Sequence, residues 1–178
     1  MAVLKRNRIL ALIAGILAIR CTTPYATPIT EPQAKANLLF NVGAFVEWPS
    51  GALADRLTIC VAGDADVLAA LRTYEGKPIQ AHVITSRAVA DDGDPSTCHI
   101  LFVSGSREQS LGLVARAADR PVLTVGDGVD FVRQGGAVRV FFEQARIRFE
   151  VNTTAVARTR LKVSSKLLGL ARVVRTEQ

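Results

Sequence analysis

The chain has 178 residues, 49% of them hydrophobic and 21% charged, a length for one domain and a composition that permits a packed core and excludes general disorder. The formal net charge of +6 misleads, because Lys5, Arg6, Arg8 and Arg20 stand in a 26-residue opening stretch that contains no acid. Without them, 18 basic side chains face 16 acidic ones, a balance that gives little long-range attraction for nucleic acid.

The opening stretch has the three-part order of a secretory signal peptide. Residues 1–8 are positive, residues 9–19 are apolar, and residues 22–30 are small, polar and proline-containing. Eleven helical residues rise about 16 Å against a ~30 Å hydrocarbon core, so a spanning helix is not expected, and the processed protein is not expected to insert in a membrane. Residues 1–26 are read as this leader. Ala26 is a possible last residue, although Pro24 suits an A-x-A site poorly. An uncleaved interfacial or core helix is the alternative. A lipid anchor through Cys21 would place the bulky Arg20 where a small residue belongs.

After the leader, residues 31–48 carry Leu38, Leu39, Val42, Phe45 and Val46 at helical spacing, and Pro49 and Gly51 end the run. Residues 57–62 form a continuous apolar run, a strand buried on both faces. Gly63-Asp64 turns into a helix over 65–74, and 78–84 reads as another strand. A polar loop over 90–97 leads to an apolar strand at 98–104. Ser106 caps a helix over 107–118, followed by a strand at 121–125 and the turn Gly126-Asp127-Gly128. A short helical turn carries Phe131 and Val132 to Gly135-Gly136. Residues 137–142 and 145–151 then read as a β-hairpin around Glu143-Gln144. In its second strand Ile147, Phe149 and Val151 share one face, while Arg146, Arg148 and Glu150 share the other, which predicts one face on the core and one in water. Helices over 153–158 and 164–173 close the chain.

Strand–helix–strand alternation predicts an α/β fold. The expected form is a three-layer sandwich with a mixed, mostly parallel sheet of five or six strands and an antiparallel edge hairpin.

The usual catalytic constellations do not occur. The only histidines are His82 and His99, with no metal-ligand spacing around them, and no glycine loop supports a nucleotide cofactor. Ser104-Gly105-Ser106 reads as a strand-to-helix turn rather than a nucleophile elbow. Cys98 and His99 are adjacent on a predicted strand and so point to opposite faces, which opposes a thiol–imidazole pair. No catalytic residue, metal or cofactor is expected. With Cys21 in the leader, Cys60 and Cys98 remain. In an oxidising compartment they form a disulfide if their strands are neighbours in register; two buried free thiols are the alternative.

Ala36-Asn37-Leu38-Leu39-Phe40 with Phe45-Val46-Glu47-Trp48-Pro49, Leu57 to Gly63, Cys98 to Ser104, Pro121 to Asp127 with Phe131 and Gly135-Gly136, and Ile147 to Asn152 with Ala157-Arg158 and Leu161 to Leu168 together resemble the YfiR family of exported bacterial proteins. Five blocks in order span about 34–172, and residues 31–174 are assigned to the domain. The resemblance implies a periplasmic regulator, not an enzyme. Such a protein binds the periplasmic sensor domain of an inner-membrane diguanylate cyclase, represses it, lowers cyclic-di-GMP signalling and biofilm formation, and tends to form a homodimer. It implies the same Cys60–Cys98 bridge. Some relatives have a second bridge in the hairpin, where this chain has no cysteine.

Two surfaces are candidates for such a partner. Phe45 and Trp48 lie at the predicted end of the first helix, where a tryptophan anchors a partner or plugs its own core. Arg139, Phe141, Arg146 and Arg148 lie on the outer hairpin face, either paired with Glu143 and Glu150 or open to an acidic or aromatic surface. The loops at Gly63-Asp64, Ser104-Gly105-Ser106 and Gly126-Asp127-Gly128 frame a crevice by fold analogy. They carry the alternative function, a periplasmic small-ligand-binding protein serving a transporter or two-component sensor.

Overall fold

The computed structural model describes residues 29–144 and 146–174; the proposed leader lies outside them. Helix α1 (Glu31–Gly43) starts with a capping box, in which the Thr30 hydroxyl accepts from the Gln33 N–H and the Gln33 side chain takes the Thr30 N–H. There follow β1 (Val46–Glu47), β2 (Arg56–Ala62), α2 (Ala65–Leu71, prolonged by a 3-10 turn at Arg72–Tyr74), β3 (Pro78–Ile79), β4 (His82–Ala88) and β5 (Ile100–Val103). The second half holds α3 (Arg107–Ala117), β6 (Leu123–Gly126), β7 (Val138–Glu143), β8 (Arg146–Asn152), α4 (Thr153–Arg158), β9 (Lys162–Val163), α5 (Ser165–Leu170) and β10 (Arg172–Val174).

Eight strands form one sheet in the order β10-β8-β7-β6-β5-β2-β4-β3, and β1 pairs with β9 in a small second sheet. The pairings β10–β8, β7–β6, β6–β5, β5–β2 and β2–β4 are parallel, while β7–β8 and β3–β4 are antiparallel. On β2 and β5, Leu57, Ile59, Val61, Ile100 and Phe102 join the main core with Ala36, Leu39 and Val42 of α1 and Val67 and Leu71 of α2. Their alternates Cys60, Ala62, Leu101 and Val103 form a second core with Leu113, Val114 and Ala117 of α3. That period-two split places helices on both faces of the sheet. The α/β architecture and its six expected strands are therefore present.

Four local details differ. The sheet gains two short edge strands, β3 and β10, so the hairpin is next to the edge and not at it. Gln80, at φ 51, breaks the expected 78–84 strand into a tight β3–β4 turn, and β4 continues to Ala88 because it pairs with β2 as far as Val61. Helix α1 stops at Gly43 instead of running to 48. Val46 and Glu47 instead pair with Val163 and Lys162, and the Phe45 carbonyl accepts from the Ser164 N–H at 2.9 Å. The last helix ends at Leu170, and β-branched Val173 and Val174 extend along β8, whose open edge offers backbone hydrogen bonds.

The β4 edge has its own protection. The Glu75 carboxylate accepts the Ser86 N–H at 2.6 Å and also its hydroxyl. It thereby occupies a backbone donor that another strand would otherwise seek.

Candidate functional site

The carboxyl ends of the parallel strands meet at the crest of the sheet, where an α/β fold would bind a small ligand. Here the crest is filled from within. Lys35 of α1 is buried, and its Nζ lies 2.8 Å from Asp127 Oδ2, 2.8 Å from Glu31 Oε1 and 4.0 Å from Asp64 Oδ2. Ser104 donates to Asp127 Oδ2 at 3.0 Å, and the ammonium sits 5.9 Å from the centre of the Phe102 ring. Burial pulls the Lys35 pKa down, but the hydrogen bonds and charges of Asp127 and Glu31 outweigh it and hold the group above its ordinary 10.5. The loops are also tightly laid. Gly63 has φ +81, and a β-carbon there would overlap the Ser104 carbonyl oxygen, so only glycine fits that turn. All three loops singled out in the sequence do converge, and α1 closes the space between them.

The disulfide is present. Cys60 and Cys98 are joined with a Cα separation of 5.7 Å, both buried in the second core. Its route is not an in-register pair across neighbouring strands. Cys60 is level with Leu101 in the β2–β5 ladder, whereas Cys98 precedes β5 in a turn closed by its own N–H to the Pro95 carbonyl at 2.9 Å. The chain entering β5 thus folds over Cys60. Arg87, level with Cys60 on β4, donates to Cys98 Sγ at 3.4 Å.

His99 packs away from Cys98. Its Nδ1 accepts the Thr58 N–H at 2.9 Å, so the neutral ring carries its proton on Nε2 and donates it to the Ala52 carbonyl at 2.9 Å. Burial pushes its pKa below the usual 6.5. The ring meets Trp48 edge-on, with centres 6.4 Å apart. Trp48 and Phe45 are both half-buried against the main core, and the Trp48 Nε1–H is buried with no acceptor among the described residues. Beside Trp48 runs a surface groove of about 360 Å³, lined by Pro49, Leu53, Gln80 and His82.

The outer hairpin face is built by register. Arg139 stands opposite Glu150, Phe141 opposite Arg148, and Glu143 opposite Arg146; Arg172 on β10 flanks Glu150 from the other side. Glu150, expected in water, is buried between two guanidiniums, at 3.4 Å from Arg139 and 3.2 Å from Arg172. Both guanidiniums also lie over the Phe141 ring, at 4.7 and 5.7 Å from its centre. Arg148 reaches Glu143 at 3.9 Å. Arg146 is exposed and has no carboxylate within 4 Å among the described residues. The structure therefore brings Arg139, Phe141, Arg146 and Arg148 onto one face and leaves Phe45 and Trp48 in a different neighbourhood.

Arg172 and Leu170 were not singled out from sequence, because a helical reading of 164–173 gave no reason to place them beside the hairpin. Lys35 was missed as well. Its signal was faint: a lysine one position before the buried Ala36, with Glu31 four residues earlier.

The YfiR/HmsC-like family model matches residues 32–172, which covers nearly all of the described fold. The chain belongs to the YfiR/HmsC-like family. At the family level, its members are periplasmic regulators of diguanylate cyclase signalling and not known as enzymes, and they interact with membrane sensor partners. Among the described residues of this member, no helix is long and apolar enough to cross a membrane. No group of three His, Cys, Asp or Glu side chains among them is placed to hold a metal ion.

Proposed function

We propose that this protein binds the periplasmic sensor domain of an inner-membrane diguanylate cyclase and represses it, lowering cyclic-di-GMP output and biofilm formation. The family match over residues 32–172 carries this reading. A repressor of this kind acts by binding the inactive state of the sensor more tightly than the active one, and it shifts the population by that difference alone. Residues 1–26 serve as the export leader and are removed. The working form is a homodimer.

The partner surface comprises the hairpin face, with Arg139, Phe141, Arg146 and Arg148, and the Phe45–Trp48 corner. Aromatic rings with ordered guanidiniums are the side chains that concentrate binding energy, and the stacking of Arg139 on Phe141 fixes one of them in advance. Lys35 occupies the crest that a small ligand would use in such a fold, which supports a protein partner over a small-ligand-binding role.

The test is co-purification of the exported protein with the periplasmic part of a membrane diguanylate cyclase. Binding at micromolar concentration or tighter is expected, with cyclase activity reduced in membranes that contain both proteins. Failure to bind any such domain would overturn the reading. Sedimentation equilibrium of the protein alone checks the dimer.

A further inference from the structure

We propose that the C-terminal lobe of this protein docks peripherally on an anionic phospholipid surface. The observation is a charge asymmetry that coincides with exposed apolar side chains. Residues 29–136 carry nine Arg and Lys against thirteen Asp and Glu, whereas residues 137–174 carry eight against two.

Both acids of the second segment are already engaged, Glu150 by Arg139 and Arg172 and Glu143 by Arg148. Arg146, Lys162 and Lys166 are exposed and have no carboxylate within 4 Å among the described residues. Leu170 is 73% exposed and follows Lys166 by one helical turn, so the two share a side of α5. Leu170, Arg172, Phe141 and Arg148 together line one open groove of about 240 Å³. Arg146 continues the row beyond Arg148 on the same face of β8. The result is a row of cations, Arg146, Arg148, Arg172 and Lys166, around an exposed leucine and a half-buried phenylalanine.

That composition fits a phosphate-bearing lipid interface. Guanidinium and ammonium groups meet the headgroups, and the apolar tips reach the acyl boundary. The acidic remainder of the molecule is repelled by the same surface, which orients the protein with this lobe toward the membrane. The groove is open, and the cations around it come from β8, α5 and β10 rather than from one point, an arrangement that suits a diffuse negative surface. The inference does not depend on repression of a cyclase, since lipid binding is measured without any protein partner.

The experiment is co-sedimentation of protein recovered from the periplasm with vesicles of phosphatidylcholine alone or with about 30% phosphatidylglycerol. A basic residue near an anionic surface contributes roughly a fivefold gain in affinity. Binding to the anionic vesicles should therefore exceed binding to the neutral ones by at least tenfold and vanish in 0.5 M salt. The combined variant Arg146→Glu, Arg148→Glu and Lys166→Glu should lose at least tenfold, while Arg56→Glu with Arg107→Glu, outside this lobe, should bind no more weakly than the parent. Circular dichroism of each variant establishes that it is folded. Equal binding to both vesicle types, or anionic binding that survives the triple reversal in a folded protein, overturns the proposal. So does absence of vesicle binding together with loss of sensor-domain capture in the triple variant, which would assign the patch to an acidic protein surface instead.

Discussion

Residues 29–136 and 137–174 use similar side chains to opposite ends. At the crest, one lysine is surrounded by three carboxylates within the protein, and its charge is spent inside. On the hairpin, the guanidiniums outnumber the acids, and the surplus faces out. Apolar exposure does not divide along the same line: the first segment leaves Ile29 and Val129 about as open as the second leaves Leu170. A salt bridge closes a surface when acids are in excess around a buried cation, and it merely orders a surface when cations are in excess.

The contrast can be attacked at its strongest point first. Reducing the Cys60–Cys98 bridge, or replacing both residues with alanine, should lower stability by about 4 kcal/mol, given the 38-residue separation it closes. Chemical denaturation with and without reductant measures this, and a loss under 1 kcal/mol would mean that the first segment is held by packing alone. Next is Lys35→Met, which strands Asp127 and Asp64 at the crest and should cost on the order of 3 kcal/mol. An unchanged denaturation midpoint would show the crest to be solvated and not closed.

On the other segment, Glu150→Gln leaves Arg139 and Arg172 without their shared carboxylate and should cost about 2 kcal/mol. A smaller effect is expected from pH. His99 is neutral when folded and has a lowered pKa, so between the ordinary imidazole value near 6.5 and that lower value the unfolded chain takes up a proton and the folded chain does not. Stability is therefore fully present above about pH 6.5 and falls as pH drops through that window. Denaturation across pH 5–8 should show this slope in the parent and a flatter one in His99→Gln. The least effect belongs to Arg146→Ala, expected to change stability by less than about 0.5 kcal/mol while weakening sensor capture. A large loss of stability would place Arg146 in the folding framework and out of the binding surface.

The legible parts of this sequence are those where one local pattern admits one structure. The apolar runs at 57–62 and 98–104 contain β-branched and large aliphatic residues without a polar face, and a strand buried on both sides is their natural state. Ser106 and Asp64 stand where helix caps are needed, and both serve as caps. The less legible parts are those where two patterns compete. Phe45 and Val46 continue a helical spacing, yet Val46 finds a partner in Val163, 117 residues away. Arg172 to Val174 follow a leucine-rich helix, yet the open edge of β8 draws them into the sheet.

The Glu150 environment shows the same limit. Alternation on β8 placed it on the face with Arg146 and Arg148, and that is correct. Its burial depends on Arg172, which arrives from another strand. Residue types and their periodicity alone therefore determined an α/β fold, its helix caps and the membership of each strand face, because these follow from neighbours within a few residues. The tertiary structure decided what lies at the ends and edges: Lys35 in the crest, Cys98 folded back over Cys60, and β10 beside the hairpin. Each depends on a contact with a segment distant in sequence, and local sequence does not encode which segment that is.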